Sequence, residues 1–181
     1  MVTPILSTSR LTLQRIAESD LKNIHELHSL PETDQYNTLG IPKNIDETKT
    51  IVESWVAGNS DNKQTHFTFK VELNSSRQFI GLIAINLGKP KFKNAEIWYK
   101  FHSDFWGKGY ATEAVNKILD FGFNELHLHR IGAGCAVNNL GSIKVLEKVG
   151  MTREGQKRQV LPLKGGWSDN FEYAILDTDR N

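Results

Sequence analysis

At Phe105-Trp106-Gly107-Lys108-Gly109-Tyr110-Ala111-Thr112 a strand-like stretch gives way to a helical one through a turn carrying two glycines. Ala95 to Phe101 reads as a strand before it. After it, Val115, Ile118, Leu119 and Phe123 fall on one face of a helix from about Ala111 to Asn124, and Arg130 to Val137 is again a short apolar strand. Strand, helix and strand in that order predict parallel strands joined by a right-handed crossover. In such a unit the free amides of the turn and the positive end of the helix dipole converge on one point, which suits an anion. Gly107 and Gly109 permit unusual backbone angles and close approach to a ligand, Ala111 leaves the first helical turn clear, and Lys108 adds charge. A bare Gly-x-Gly before a helix is more often an ordinary loop, so the surroundings must decide. A P-loop needs Ser or Thr after its lysine, and the dinucleotide fingerprint needs Gly at 112; Gly109 and Thr112 stand there, so ATP hydrolysis and NAD binding both lose support.

The remaining chain reads as antiparallel strands and helices around this unit. Arg10 to Ile16 is an opening strand. Ser19 or Asp20 caps a helix with Leu21, Ile24, Leu27 and Leu30 on one stripe, which Pro31 stops. Pro31 to Asn44 reads as a loop, and Asp46 caps a second helix carrying Ile51, Val52, Trp55 and Val56 that Gly58 ends. Phe67, Phe69, Val71 and Leu73 alternate, and Asn74-Ser75-Ser76-Arg77 turns the chain into Phe79 to Leu87, a hairpin. After the crossover, a helix fits Gly141 to Val149 with Gly150 closing it; Met151 to Leu163 and Trp167 to Leu176 form a last pair of strands around Lys164-Gly165-Gly166, before a polar tail, Asp177 to Asn181. The class is α+β, with a mixed, mostly antiparallel sheet flanked by helices. At 181 residues, without repeat or linker, a single domain over 1–181 is expected.

Composition narrows function by exclusion. Lys and Arg at 22 nearly cancel Asp and Glu at 21, so no global charge steers the chain to nucleic acid or anionic lipid. The lone Cys135 forms no internal disulfide, which suits a reducing compartment, the cytoplasm. Met1 to Arg10 has no leader pattern, and no apolar run reaches ~18 residues, so a soluble protein without a membrane role is expected. His127 and His129 lack accompanying ligands, so no metal is expected. Edge strands of such a sheet could pair two chains, which makes a homodimer one expectation.

The turn resembles the acetyl-CoA pyrophosphate loop of the GNAT N-acetyltransferases, whose pattern is Gln or Arg, two residues, Gly, one residue, then Gly or Ala. Gly109 and Ala111 occupy the small positions, and Trp106 stands where the wider superfamily has Gln or Arg. The string Trp106 to Ala114, WGKGYATEA, is similar to the branch of RimJ- and RimL-type ribosomal-protein N-terminal acetyltransferases. The resemblance covers nearly the whole chain: Ser9 to Gln14 resembles that branch's opening strand, Ala95-Glu96-Ile97-Trp98-Tyr99 its cofactor strand, Arg130-Ile131 the start of the next, and Asn139-Leu140-Gly141-Ser142 through Val149-Gly150-Met151 its Asn-x-x-Ser helix and end. Trp98 replaces the family's usual glycine, and Met151 its phenylalanine.

The resemblance implies the GNAT acyl-CoA N-acyltransferase fold and direct transfer of an acetyl group from acetyl-CoA to a primary amine. A protein N-terminal α-amine of ribosomal type is the first acceptor implied; a small polyamine, amino sugar or antibiotic is the alternative, and a non-catalytic acyl-CoA sensor the alternative function. The cofactor would lie on Trp106, Gly107, Lys108, Gly109, Tyr110, Ala111 and Thr112, along Ile97, Trp98 and Tyr99, and against Asn139 and Ser142. A free strand amide between Glu96 and Lys100 would bind the oxyanion. Ser142 would protonate the departing thiolate, although Asn139 and Ser142 equally suit helix capping. The superfamily's tyrosine acid is replaced by Leu146. Glu96 is the candidate base for the amine and Glu72 a weaker one; Glu113 reads as a partner of the helix dipole. Cys135, in an apolar strand without a partner histidine, reads as packed, not nucleophilic. Tyr173, on the closing strand with Trp167 and Asp169, reads as core or, less favoured, as lining the acceptor cleft.

Overall fold

Alternating apolar residues in the first half produce a meander, and the strand, helix and strand that follow reverse its direction. The computed structural model describes residues 5–60 and 65–180, with residues 59 and 60 through their backbone alone. The first residues of the stretch read for a leader, and Asn181 of the polar tail, lie outside the described residues. Eight strands form one sheet: β1 Leu6–Ser7, β2 Leu11–Arg15, β3 His66–Leu73, β4 Phe79–Leu87, β5 Asn94–Phe101, β6 Arg130–Ala136, β7 Thr152–Leu163 and β8 Gly166–Leu176. Their order is β1-β2-β3-β4-β5-β6-β8-β7, and every pairing is antiparallel except β5 with β6. The α+β class and the parallel pair are as the sequence predicts.

Helices cover both faces. Against one lie α4 Tyr110–Asp120 and α5 Leu140–Lys148, whose Val115, Ile118, Leu119 and Leu146 join Phe67, Phe69, Ile83, Ile85 and Ile131 in the main core. Against the other lie α1 Leu21–Ser29 and α3 Ile45–Ser60, with a smaller core of Ile24, Leu27, Val52 and Leu82. β5 divides its side chains between them by strand alternation: Ile97 and Phe101 enter the main core with Tyr99 packed on it, while Trp98 packs on the smaller one.

Several boundaries differ from the sequence reading for local reasons. Pro31 ends α1 but also opens one further turn, α2 Pro31–Asp34, because its fixed φ suits a first helical position. Thr33 Oγ1 donates to the Leu27 and Leu30 carbonyls at 2.8 and 3.0 Å, satisfying the end of α1. Asp20 does not cap α1: its carboxylate accepts from Ala17 N at 2.9 Å and pairs with Lys70 at 2.9 Å. Asn44, not Asp46, caps α3, its Oδ1 accepting from Asp46 N and Glu47 N, each at 3.1 Å. Gly58 lacks the positive φ of a terminating glycine, and α3 runs on to Ser60. α4 gives way at Phe121–Glu125 to a wider π-type turn. There Gly122 lies so close to Ile131 and Ile85 that a Cβ would come within 2.5 Å of the Ile131 side chain.

Candidate functional site

β5 and β6 pair only at their beginnings, Asn94 with Arg130, Ala95 with Ile131 and Glu96 with Gly132. Beyond that point β5 stays with β4 as far as Phe101, and β6 stays with β8 as far as Ala136. The two strands therefore part, and the β5 edge from Ile97 to Phe101 faces a gap with no strand partner. An open edge of this kind can hydrogen-bond an extended ligand as an added strand. The turn after β5 lies beyond the open end of this edge.

In that turn Gly107 has φ +73° and Gly109 φ +80°. A Cβ at 107 would meet nothing within 4 Å, and one at 109 only Arg10 Nη2 at 3.5 Å, so the glycines are required by backbone angle and not by space. Gly109 is the N-cap of α4, and its carbonyl accepts the Glu113 N–H at 3.0 Å. The first-turn amides at Tyr110, Ala111 and Thr112 lie on the helix's positive end. Trp106 Nε1 donates to the Phe101 carbonyl at 2.8 Å, tying the turn to the end of β5 with its ring half-exposed. Lys108 Nζ sits over the Phe105 ring at 5.4 Å.

Arg10 braces this turn, a role the sequence reading missed. Its Nη1 donates to the Lys108 carbonyl at 3.1 Å, its guanidinium lies 4.5 Å from the Tyr110 ring centre, and its Nε donates to Glu113 at 2.6 Å. Burial alone would raise the Glu113 carboxyl, but hydrogen bonds from Thr8 and Arg10 hold it below its ordinary value. The sequence reading assigns Glu113 to the helix dipole; in the structure its carboxylate is held by Thr8 and Arg10. The signal available was an arginine within the Ser9 to Gln14 similarity and a carboxylate in the first turn of α4.

Across the gap, Asn139 Oδ1 accepts from Ser142 N at 3.1 Å, so Asn139 caps α5. Ser142 Oγ lies 2.7 Å from the Tyr99 hydroxyl on β5. Cys135 on β6 is buried, and burial pushes its thiol up to about 11, which keeps it protonated at neutral pH. Leu146 is fully buried in the main core. Tyr173 is in the core, its hydroxyl donating to Glu147 at 3.2 Å.

The opposite face of β5 carries Glu96, Trp98 and Lys100. Glu96 is exposed at the closed end of the gap, and its side chain makes no hydrogen bond with the described residues. Trp98 stacks at 5.2 Å on Trp55, which lies 5.9 Å from His28. Trp98 therefore presents only its backbone to the edge beside the gap, while its side chain packs on the smaller core. Lys100 Nζ is 3.2 Å from His28 Nδ1. Burial lowers Lys100 to about 8 against the opposing charge of Asp34, and burial, with Lys100 and His25 beside it, lowers His28 to about 4. Asp34 is buried and its Oδ1 accepts no hydrogen bond. Glu72 is committed to ion pairs with Lys70 at 3.3 Å and Arg77 at 3.2 Å. The Lys100, His28 and Asp34 cluster was not anticipated, because its members are far apart in sequence and share no motif.

A cavity of about 950 Å³ opens between α2 with the segment after it, the β6–α5 connection at Val137–Asn138, and the β7–β8 turn. Asp34, Glu32 and Asp169 line it with Lys164, Tyr36 and Trp167. Trp167 is exposed, and Asp169 accepts from Gln156 Nε2 and Gln159 N at 2.6 and 2.8 Å. The cavity reaches the loop that caps α5.

The family model for the acetyltransferase (GNAT) domain matches residues 10–152. An uncharacterized N-acetyltransferase, YoaA, of Bacillus subtilis is 30% identical over 173 residues, covering 96% of this chain and 97% of the relative. The ribosomal-protein-serine acetyltransferase of Escherichia coli is 25% identical, covering 98% of this chain and 99% of that one. The crystal structure of spermidine N-acetyltransferase from Vibrio cholerae in complex with CoA and spermine superposes with a TM-score of 0.83 at 27% identity, covering 95% of this chain and 98% of that chain. With a strand gap, a glycine turn at a helix N-terminus and a family match over most of its length, this chain belongs to the GNAT family and is an acetyl-CoA-dependent N-acetyltransferase.

Proposed function

We propose that this protein transfers acetyl directly from acetyl-CoA to a primary amine, both substrates being bound together. The observation that carries the reading is the one-ended gap between β5 and β6, which adjoins the turn of Gly107 and Gly109 at its open end and the first turn of α5 along its side. The turn and the first amides of α4 hold the CoA phosphates, with Trp106 to Thr112 as the cradle. Pantetheine lies along Ile97, Trp98 and Tyr99 and meets Asn139, and a β5 amide in the gap binds the oxyanion that forms on the thioester. Ser142, on the first turn of α5, protonates the leaving sulfur. Glu96, exposed and without a hydrogen-bond partner, takes the proton of the amine directly or through water.

The acceptor enters through the 950 Å³ cavity. Carboxylates of Glu32, Asp34 and Asp169 against the ammonium of Lys164 favour a cationic amine, and Tyr36 and Trp167 offer surface for its apolar part. Polyamines and protein N-termini, the acceptor classes suggested by the two kinds of relative, both present a primary amine; the acid-lined wall favours the polyamine, and the likeness in the phosphate turn favours the N-terminus. Calorimetric titration with acetyl-CoA and desulfo-CoA, followed by a free-thiol assay against polyamines, monoamines and N-terminal peptides, tests the reading. Binding with amine-dependent thiol release supports it and separates the acceptor classes by kcat/KM. Binding without release across the panel replaces it with an acyl-CoA sensor.

A further inference from the structure

We propose that Tyr99 is a positioning residue for the acid step, its hydroxyl donating to Ser142 Oγ so that the Ser142 hydrogen is presented to sulfur. The proposal rests on the transferase reading above and adds to it a member from β5.

Tyr99 Oη lies 2.7 Å from Ser142 Oγ and 3.4 Å from the Ser142 carbonyl oxygen. A hydroxyl has one hydrogen to give, and 3.4 Å is beyond the usual O–H···O range, so the contact that matters is the 2.7 Å one, in which either hydroxyl can be the donor. With Tyr99 as donor, the assignment made by this proposal, Ser142 Oγ accepts and keeps its own hydrogen for another partner. Burial raises the Tyr99 hydroxyl above its ordinary value, so it remains a donor at neutral pH. Tyr99 on β5 and Ser142 on α5 thus meet beside the stretch where β5 and β6 are unpaired.

In the acid step the C–S bond of the tetrahedral intermediate breaks and its electron pair goes to sulfur. Ser142 Oγ passes its hydrogen to that sulfur and regains one from water, while the proton lost by the amine goes to Glu96, directly or through water, and from there to solvent. Negative charge appears briefly on Oγ, and the hydrogen bond from Tyr99 is strongest at that moment. A hydrogen bond to a charged atom is worth enough to change the rate roughly tenfold to hundredfold. Tyr99 takes the strand side of a task for which Leu146 supplies no hydroxyl.

The test compares Tyr99→Phe, Ser142→Ala and the double variant in steady-state kinetics with whichever amine the wild type acetylates, with desulfo-CoA affinity and thermal midpoint measured on each. Tyr99→Phe keeps the ring and removes only the hydroxyl. The expected result is a kcat roughly tenfold to hundredfold lower, unchanged desulfo-CoA affinity, and a double variant no slower than Ser142→Ala alone. Unchanged kcat in folded Tyr99→Phe, a loss confined to KM or to desulfo-CoA affinity, or multiplicative losses in the double variant overturns the proposal and leaves Tyr99 a strut between β5 and α5. Absence of amine-dependent thiol release by the wild type removes the transferase reading itself, and this proposal with it.

Discussion

The two faces of β5 are built on different principles. On one, Ala95, Ile97 and Phe101 are buried in an aliphatic and aromatic core with α4 and α5. On the other, Glu96, Trp98 and Lys100 meet a smaller core, two stacked tryptophans, and a buried histidine and aspartate, Lys100 itself being half-buried. The first face holds the elements proposed above to bind acetyl-CoA, and close apolar packing makes that arrangement rigid. The second carries buried polar groups with few partners, an arrangement that specifies poorly for stability but can select among ligands. The difference predicts that perturbing the first face and its turn alters cofactor binding, whereas perturbing the second alters acceptor choice and pH response.

The largest effect is expected from Gly109→Val. A β-branched residue at φ +80° is strained by about 1–3 kcal/mol, and reshaping the turn to relieve that strain withdraws its amides from the phosphates. Acetyl-CoA Kd should rise roughly tenfold to hundredfold while the thermal midpoint falls only modestly. Equal affinity in a folded variant would remove the turn from the cofactor site.

Asp34→Asn is the matching change on the other face. Acetyl-CoA Kd should stay constant, and KM for a cationic amine should rise about tenfold, the cost of losing one charge-assisted hydrogen bond. A change in both parameters would break the division between the faces, and a change in neither would place the acceptor outside the cavity.

That division also explains what the sequence revealed. The turn, the parallel pair and the first-turn serine of α5 are legible because each is local: Gly107 and Gly109 require a backbone angle, Asn139 caps the helix that carries Ser142, and apolar period marks the crossover. Asp20 and Asp46 were misread as caps because a carboxylate near a helix start has competing partners; Lys70 takes the first, and Asn44 is already in place for the second. Arg10, the hydroxyl pair of Tyr99 and Ser142, and the Asp34 cluster were invisible as units, since each depends on segments brought together only by the sheet. Trp98 was legible as a departure from the family glycine, but its stacking on Trp55 needed the position of α3.

The smallest effect concerns pH and belongs to the polar face alone. Burial, together with the neighbouring positive charges of Lys100 and His25, lowers His28 from 6.5 to about 4 in the folded protein. Unfolded His28 therefore binds a proton between those values while the folded side chain does not, so stability rises with pH across that window and is lost as pH falls through it. The loss relative to pH 7 should reach about 1 kcal/mol near pH 5.5. His28→Gln keeps an amide oxygen able to accept from Lys100 and removes the titration. Urea unfolding of wild type and variant at neutral and mildly acid pH should give curves of different slope, the wild type losing about 1 kcal/mol more than the variant between pH 7 and about pH 5.5. Parallel curves would show that His28 does not titrate differently on folding and that the polar face makes no contribution to acid sensitivity, leaving its lysine and aspartate to be judged by acceptor kinetics alone.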